Sequence, residues 1–122
     1  MTNHAHNTRP ATAYVDAPSI IKEICWVAKQ SADGPASVRR SRAFWLRKAA
    51  LFDRIAIKEA AMYVPEVAAE VVDTAALAAR QLVAFDVEYS GLSLRGSELI
   101  TDDDCREYVR QEYREWSHAR PS

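Results

Sequence analysis

The chain has 122 residues, a formal net charge of −1, 48% hydrophobic residues and 27% charged residues. This length and balance are typical of one soluble globular domain with a single core. A net charge close to zero excludes an overall electrostatic preference for nucleic acid or for an anionic membrane surface, so such preferences can come only from local clusters. No apolar run approaches the roughly 20 residues that a membrane-spanning helix needs.

The cysteines and the first residues bear on the cellular compartment. Cys25 and Cys105 lie far apart and each falls on an apolar stripe, which predicts two reduced core thiols and no disulfide framework. Residues 1–13 are polar and lack the apolar segment of a signal peptide, so we expect a cytoplasmic protein. Abundant alanine, with 12 arginines against 4 lysines, indicates a bacterial source.

The N-terminal part predicts a disordered tail followed by a helix. Residues 1–15 offer nothing to pack against a core, and we expect them to be disordered. The first helix is predicted over 18–32, with Asp16 as N-cap and Pro18 in its first turn. Its apolar residues recur at helical spacing and predict its buried face. They are Ile20, Ile21, Ile24, Cys25, Val27 and Ala28.

The middle of the chain predicts two long helices, over 37–62 and 65–89. The first is apolar around most of its circumference, so we expect it to be buried deeply. Val64-Pro65 should end it, because a residue that precedes proline is pushed out of the helical region. One long helix with a kink at Pro65 is the alternative. The predicted centre of the core consists of Trp45, Phe52, Ile55 and Ala56 against Val71, Ala75, Ala78 and Leu82.

The last predicted helix spans 102–118 and begins after a loop over 91–100. Thr101 is its expected cap, and the three aspartates that follow suit the positive end of a helix dipole. The loop carries four apolar residues that should anchor it: Leu92, Leu94, Leu99 and Ile100. The predicted fold is therefore all-α, with four helices in a single domain over 16–119. It is built on an antiparallel helix hairpin, 37–62 and 65–89, with flanking helices 18–32 and 102–118.

A basic stretch opens the second helix and is the first candidate site. Six of its cations are the candidate nucleic-acid contacts: Arg39, Arg40, Arg42, Arg47, Arg54 and Lys58. Several fall near one line of the helix, and such a stripe can bind phosphates. A helix-turn-helix is the matching motif, although the connection before this helix is longer than usual. The opposing interpretation pairs the cations internally, because residues at about equal distances from the Val64-Pro65 turn face each other in an antiparallel hairpin. Arg42 would then meet Asp86, and Arg40 would meet Glu88.

Two carboxylates inside apolar arcs form the second candidate. Glu59 and Asp86 could act as an acid–base pair in a small enzyme or ligand-binding protein. The alternative is a set of buried ion pairs with arginine or tyrosine, for which Tyr63 and Tyr89 are candidate partners. Neither half of the hairpin has the Glu-x-x-His pattern of a helical di-metal site, so we predict no catalytic residue, no core metal and no cofactor.

The N-terminal tail is the one place where the sequence suggests a metal ion. After removal of Met1, the segment Thr2-Asn3-His4 would offer an amine, two amides and an imidazole. This nitrogen set suits Cu(II) or Ni(II) in square-planar geometry. The alternative interpretation is a short histidine-containing tail that arose by chance and binds no metal.

The C-terminal helix supplies a candidate protein interface. Its aromatic and arginine residues have the composition of an interaction hot spot: Tyr108, Arg110, Tyr113, Arg114 and Trp116. The alternative places the aromatics in the core and pairs the arginines with Glu107, Glu112 and Glu115. No phosphate-binding loop or nucleophile motif is present. We therefore predict a small non-catalytic interaction or regulatory protein with a protein partner or homodimer, and nucleic-acid binding is the first alternative.

Overall fold

The computed structural model describes residues 9–32, 41–89 and 101–119, which are almost entirely α-helical. Five helices occur in these ranges: α1 (Pro10–Ala13), α2 (Ile20–Ala32), α3 (Arg42–Met62), α4 (Pro65–Tyr89) and α5 (Asp102–Ala119). No β-strand occurs within these three ranges, and no helix in them is long and apolar enough to cross a membrane. The prediction of an all-α bundle is confirmed.

The α3–α4 hairpin is the frame against which the other long helices pack. Tyr63 leaves the helical region at φ −128° and ψ 161°, which ends α3. The carbonyl oxygen of Val64 then accepts hydrogen bonds from the backbone N–H groups of Val67 at 2.9 Å and Ala68 at 3.2 Å, which begins α4. Two helices therefore meet at Val64-Pro65, as predicted from proline geometry, and the alternative of one kinked helix is wrong.

Two helices begin later than predicted because serines cap them. Ser41 is extended, and its Oγ accepts a hydrogen bond from the backbone N–H of Phe44 at 3.3 Å, so α3 starts at Arg42 and not at 37. The Oγ of Ser19 accepts one from the backbone N–H of Lys22 at 3.2 Å and takes the capping role assigned to Asp16. Residues 33–40, which follow α2, lie outside the described residues.

The start of α5 is the predicted one. Thr101 Oγ1 accepts from the backbone N–H of Asp104, and Asp104 Oδ2 accepts from the backbone N–H of Thr101, both at 3.0 Å. This reciprocal pair is a capping box. The helix ends at Ala119, one residue past the predicted end. The loop 91–100 with its apolar anchors lies outside the described residues.

The segment before α2 packs against the bundle at residues 10–14, within the stretch 1–15 for which the sequence predicts a disordered tail. Pro10–Ala13 makes one helical turn, and Ala13 is buried. The Tyr14 ring packs edge-on against Tyr113 of α5, with 5.4 Å between ring centroids. These contacts order a segment that the polar composition alone would leave free. Residues 1–8 lie outside the described ranges.

The core lies where α3, α4 and α5 meet. Its largest fully buried apolar side chains, Leu46, Leu82 and Val109, come one from each helix. Alanines from α3 and α4 line the same cluster and let the two helices approach closely. The predicted centre is partly wrong, because Trp45, Phe52, Ile55 and Val71 are only half-buried. Ala56, Ala75, Ala78 and Leu82 are buried as predicted.

The orientation of α2 differs most from the prediction. Ile21 is 68% exposed and Ile24 41% exposed, while Glu23 on the same helix is only 2% exposed. Cys25 and Ala28 are also exposed, so the expectation of a buried Cys25 is wrong, whereas Cys105 is buried. We call Ile21, Ile24, Cys25 and Ala28 the α2 face. Its exposure follows from an ion pair of Glu23 that turns the other edge of α2 toward α3.

Candidate functional site

Asp53 of α3 is the centre of a buried polar cluster and is 1% exposed. Its Oδ1 accepts hydrogen bonds from Arg106 Nε at 2.7 Å and Arg110 Nη2 at 3.1 Å. Its Oδ2 accepts from the Tyr14 hydroxyl at 2.6 Å and from Arg110 Nε at 2.8 Å. One carboxylate therefore binds two guanidinium groups and a phenol, and it ties α3 to α5 and to the N-terminal segment.

Asp86 of α4 forms a second cluster and is also 1% exposed. Arg42 donates to both of its oxygens, each at 2.7 Å, and the Tyr108 hydroxyl donates to Oδ2 at 2.6 Å. The Nη2 of Arg42 also reaches Glu112 at 2.9 Å. The predicted pairing of Arg42 with Asp86 across the hairpin is confirmed, while Arg40 lies outside the described residues. The tyrosine partner is Tyr108, and neither Tyr63 nor Tyr89 was the right candidate.

A third buried carboxylate explains the orientation of α2. Glu23 binds Arg47 of α3 through two hydrogen bonds, at 3.1 Å and 2.7 Å. The guanidinium carbon of Arg47 lies 3.6 Å from the ring centroid of Trp26, a cation–π geometry. Because a buried charge needs its partner, this pair fixes which edge of α2 faces α3.

These clusters bind α3 to every neighbouring element, and their chemistry is structural. A general acid or base must lie within reach of a substrate proton, whereas Asp53, Asp86 and Glu23 are enclosed by their own donors. Glu59, the other predicted catalytic carboxylate, is half-buried on α3. Within the described ranges, no group of three or more His, Cys, Asp or Glu side chains could hold a metal ion. The tail site at His4 lies outside those ranges.

The described part of the basic stretch does not present one free row of cations. Arg42 and Arg47 are held in the ion pairs above, and the Arg54 guanidinium lies 5.9 Å from the Tyr14 ring centroid. Lys58 is exposed, while Arg39 and Arg40 lie outside the described residues. Two of the six candidate phosphate contacts are therefore already neutralised by carboxylates of the same chain.

The predicted interface on the last helix is mostly interior. Tyr108 is 6% exposed and Tyr113 2% exposed, and Arg110 is bound to Asp53. Trp116 is half-buried beside Tyr113, and Arg114 is exposed. The aromatic–arginine composition of α5 thus serves contacts within the chain, and Tyr108 and Tyr113 cannot form an outer surface in this fold.

Two tyrosines have raised pKa values because their phenolates would be buried. Burial holds the pKa of Tyr14 well above its ordinary value of 10.0, and the charge of Asp53 raises it further. Burial also raises the pKa of Tyr108, and its hydrogen bond to Asp86 adds to the effect. Both phenols stay protonated in the folded chain at a pH that ionises exposed tyrosines.

The difference between the folded-state and unfolded-state pKa values of these tyrosines predicts that the protein loses stability at alkaline pH. A folded-state pKa above the unfolded value gives stability that is complete below pH 10.0 and is lost as the pH rises through the folded value. Urea unfolding midpoints should therefore fall steadily above about pH 10, and part of the tyrosinate absorbance should appear only with unfolding. In Tyr14→Phe the alkaline loss should be smaller. If the urea midpoint falls equally steeply with pH in the unmodified chain and in Tyr14→Phe, the assignment to Tyr14 is contradicted.

Two apolar surfaces remain exposed on the described chain. One is the α2 face. The other is the turn of the hairpin, where Met62, Tyr63, Val64 and Val67 are 59%, 46%, 59% and 60% exposed. We call these four residues the hairpin tip. Single exposed apolar side chains are ordinary, but grouped ones indicate an interaction surface.

The fold and the site define this chain as a small all-α bundle with arginine–carboxylate–tyrosine clusters in its interior. No protein-family model matches its sequence, and no curated protein and no solved structure is significantly similar to it. Function is therefore inferred from the chain's own surfaces.

Proposed function

We propose that the protein is a non-catalytic cytoplasmic interaction module that acts through protein–protein contacts. The observation that carries the proposal is the α2 face, on which Ile21 and Ile24 point to solvent from a helix whose carboxylate is buried. Complete burial of one isoleucine side chain is worth about 1.5–3 kcal/mol. A partner that covers this face would recover stabilisation that the isolated chain lacks.

The buried contacts between α2 and α3 hold the α2 face in place before any partner binds. The Glu23–Arg47 pair and the stacking of Arg47 on Trp26 hold α2 at a fixed rotation against α3. Val27 packs with Phe44 and Leu51 in the apolar cluster beneath. A preorganised face loses less conformational entropy on binding than a flexible one.

Site-specific photo-crosslinking in the native cell tests this function. A photoreactive amino acid at Ile21 should give a discrete protein adduct, because this side chain lies on the α2 face. The same amino acid at Leu77, which is 59% exposed on α4, is the matched control and should give none. Adding Ile24→Lys should abolish the adduct at position 21. Equal labelling from both positions, or none from position 21, would overturn the proposal.

A further inference from the structure

We propose that the occupant of the α2 face is the hairpin tip of a second copy of this chain, so that copies join head to tail. This inference rests on the proposed function and names its partner. Four observations support it: the charge beside the α2 face, the charge beside the tip, the distance between the two within one copy, and the charges that two-fold pairing would bring together.

The border of the α2 face is positive. Lys22 and Lys29 are exposed and lie seven residues apart, so they stand on the same side of the helix about two turns from each other. The acidic residue of α2, Glu23, is buried and bound to Arg47. The apolar face is thus bordered by two cations and by no exposed carboxylate of α2 itself.

The border of the hairpin tip is negative. Glu66 and Glu70 are exposed in the first turns of α4, four residues apart and next to Val67. Residues 58–70 contain three carboxylates, Glu59, Glu66 and Glu70, and one cation, Lys58. The charge around the tip is therefore negative. An apolar patch with an acidic border complements an apolar patch with a basic border.

The two surfaces cannot meet within one copy. Glu23 binds Arg47 and Ile20 packs into the apolar cluster that includes Ile55, so α2 lies alongside the first two-thirds of α3. Met62 lies seven residues beyond Ile55, which is about 10 Å further along the helix axis at 1.5 Å per residue. The tip therefore extends past α2, and its side chains are exposed within the described part of the chain.

Pairing of like surfaces is disfavoured by charge. A two-fold interface brings the same surface of both copies together. Two antiparallel α2 faces would place Lys22 of one copy beside Lys29 of the other, and two tips would bring Glu66 and Glu70 together. The unlike pairing instead puts lysines against glutamates, which favours head-to-tail contact.

Such a contact is heterologous, so it leaves one α2 face and one tip free at the ends of every open assembly. Each interface is small, because a two-turn helix face falls short of the roughly 800 Å² per partner that a standard interface buries. Association should therefore be weak, should increase with protein concentration, and should weaken as salt screens the charges.

Complementation of two variants tests the inference. The face variant carries Ile21→Lys and Ile24→Lys, and the tip variant carries Val64→Glu and Val67→Glu. All four side chains are at least 41% exposed, so the fold should be kept, which circular dichroism verifies. Sedimentation equilibrium should show each variant alone as a monomer and their equimolar mixture as a one-to-one dimer, because one compatible pairing remains. The unmodified chain should form larger species.

Charge reversal provides the second arm. Lys22→Glu with Lys29→Glu should abolish self-association, and adding Glu66→Lys with Glu70→Lys in the same chain should restore it. Asp73→Lys, an exposed acidic site on α4 outside the tip, is the matched control and should change nothing.

The outcomes separate this inference from the proposed function. A chain that stays monomeric at every concentration, a mixture that fails to dimerise, or a face variant that still associates alone would overturn the head-to-tail pairing. If the crosslink from Ile21 then joins a different protein, the function stands and the inference fails. If Ile21 gives no adduct and the chain is monomeric, both fail.

Discussion

Replacing Asp53 with alanine is expected to lower the free energy of unfolding by about 3–5 kcal/mol, because it leaves buried cations without their counter-charge. Arg106 and Arg110 have side chains only 12% and 19% exposed, and both donate to this carboxylate. Tyr14 loses its acceptor as well. Because a typical domain is stabilised by only about 5–15 kcal/mol, this one change should lower the urea midpoint strongly.

The matched control for Asp53 is an exposed carboxylate. Asp73→Ala on α4 should change the free energy of unfolding by no more than about 0.5 kcal/mol. Tyr14→Phe should cost about 1 kcal/mol, because it removes one hydrogen bond and keeps the ring contact with Tyr113. A loss below about 1 kcal/mol in Asp53→Ala would show that water replaces the carboxylate and that the cluster contributes little.

The second large effect is expected for Arg42→Met, which should also cost about 3–5 kcal/mol. Asp86 is 1% exposed and would keep only the Tyr108 hydroxyl as a hydrogen-bond donor among its described partners. The double variant Arg42→Met with Asp86→Asn should be more stable than Arg42→Met alone, since it removes the unpaired charge and keeps an acceptor for Tyr108. Urea denaturation of the two single variants and the double variant measures the coupling.

The loss of stability caused by removing Arg42 can be measured separately from the contribution of Glu112. Burial raises the pKa of Glu112, and Arg42 holds it down through its charge and hydrogen bond. Arg42 donates two hydrogen bonds to Asp86 and one to Glu112, and Asp86 is the more deeply buried carboxylate, so most of the destabilisation should come from Asp86. Glu112→Gln should therefore cost less than Arg42→Met. Equal costs would place the destabilisation on Glu112 and contradict the assignment to Asp86.

The hairpin is the part of the fold that the sequence predicted best. The end of α3 at Met62 and both ends of α4 agree with the prediction, because Pro65 and the apolar spacing act locally. The contact between Arg42 and Asp86 followed from the same turn, since an antiparallel pair fixes which residues face each other. Local backbone chemistry thus determined a contact between residues 44 positions apart.

The buried clusters were missed because helical periodicity assigns charged residues to the surface. Asp53 lies among the cations of the basic stretch, and Glu23 lies beside the apolar residues of α2, so neither position marks its carboxylate as buried. Their burial depends on partners elsewhere in the chain: Arg47 lies 24 positions from Glu23, and Arg110 lies 57 positions from Asp53. The available signal was one acid, Asp53, within the basic stretch 39–58, together with Arg106 and Arg110, which lie four residues apart in α5.

The candidate surface was missed for a related reason. The spacing of Ile21, Ile24 and Ala28 shows that α2 has an apolar face, but spacing carries no information about the direction in which that face points. The composition of α5 suggested an interface, whereas Tyr108 and Tyr113 complete the core. Tyr14 is an aromatic residue in a polar segment. Its packing is explained by its hydrogen-bond acceptor, Asp53 of α3, which lies 39 positions away in the sequence.

The contact between Tyr14 and Tyr113 brings the beginning of the described chain onto its last helix. The complete set of Tyr14 contacts needs α3 and α5 packed together, because Asp53 comes from α3 and Tyr113 from α5. The hairpin, by contrast, joins neighbours in sequence and closes a short loop. Amide protons of 9–17 should therefore exchange through local opening of this segment, at a lower free energy than the global unfolding that exposes the amides of α3 and α4.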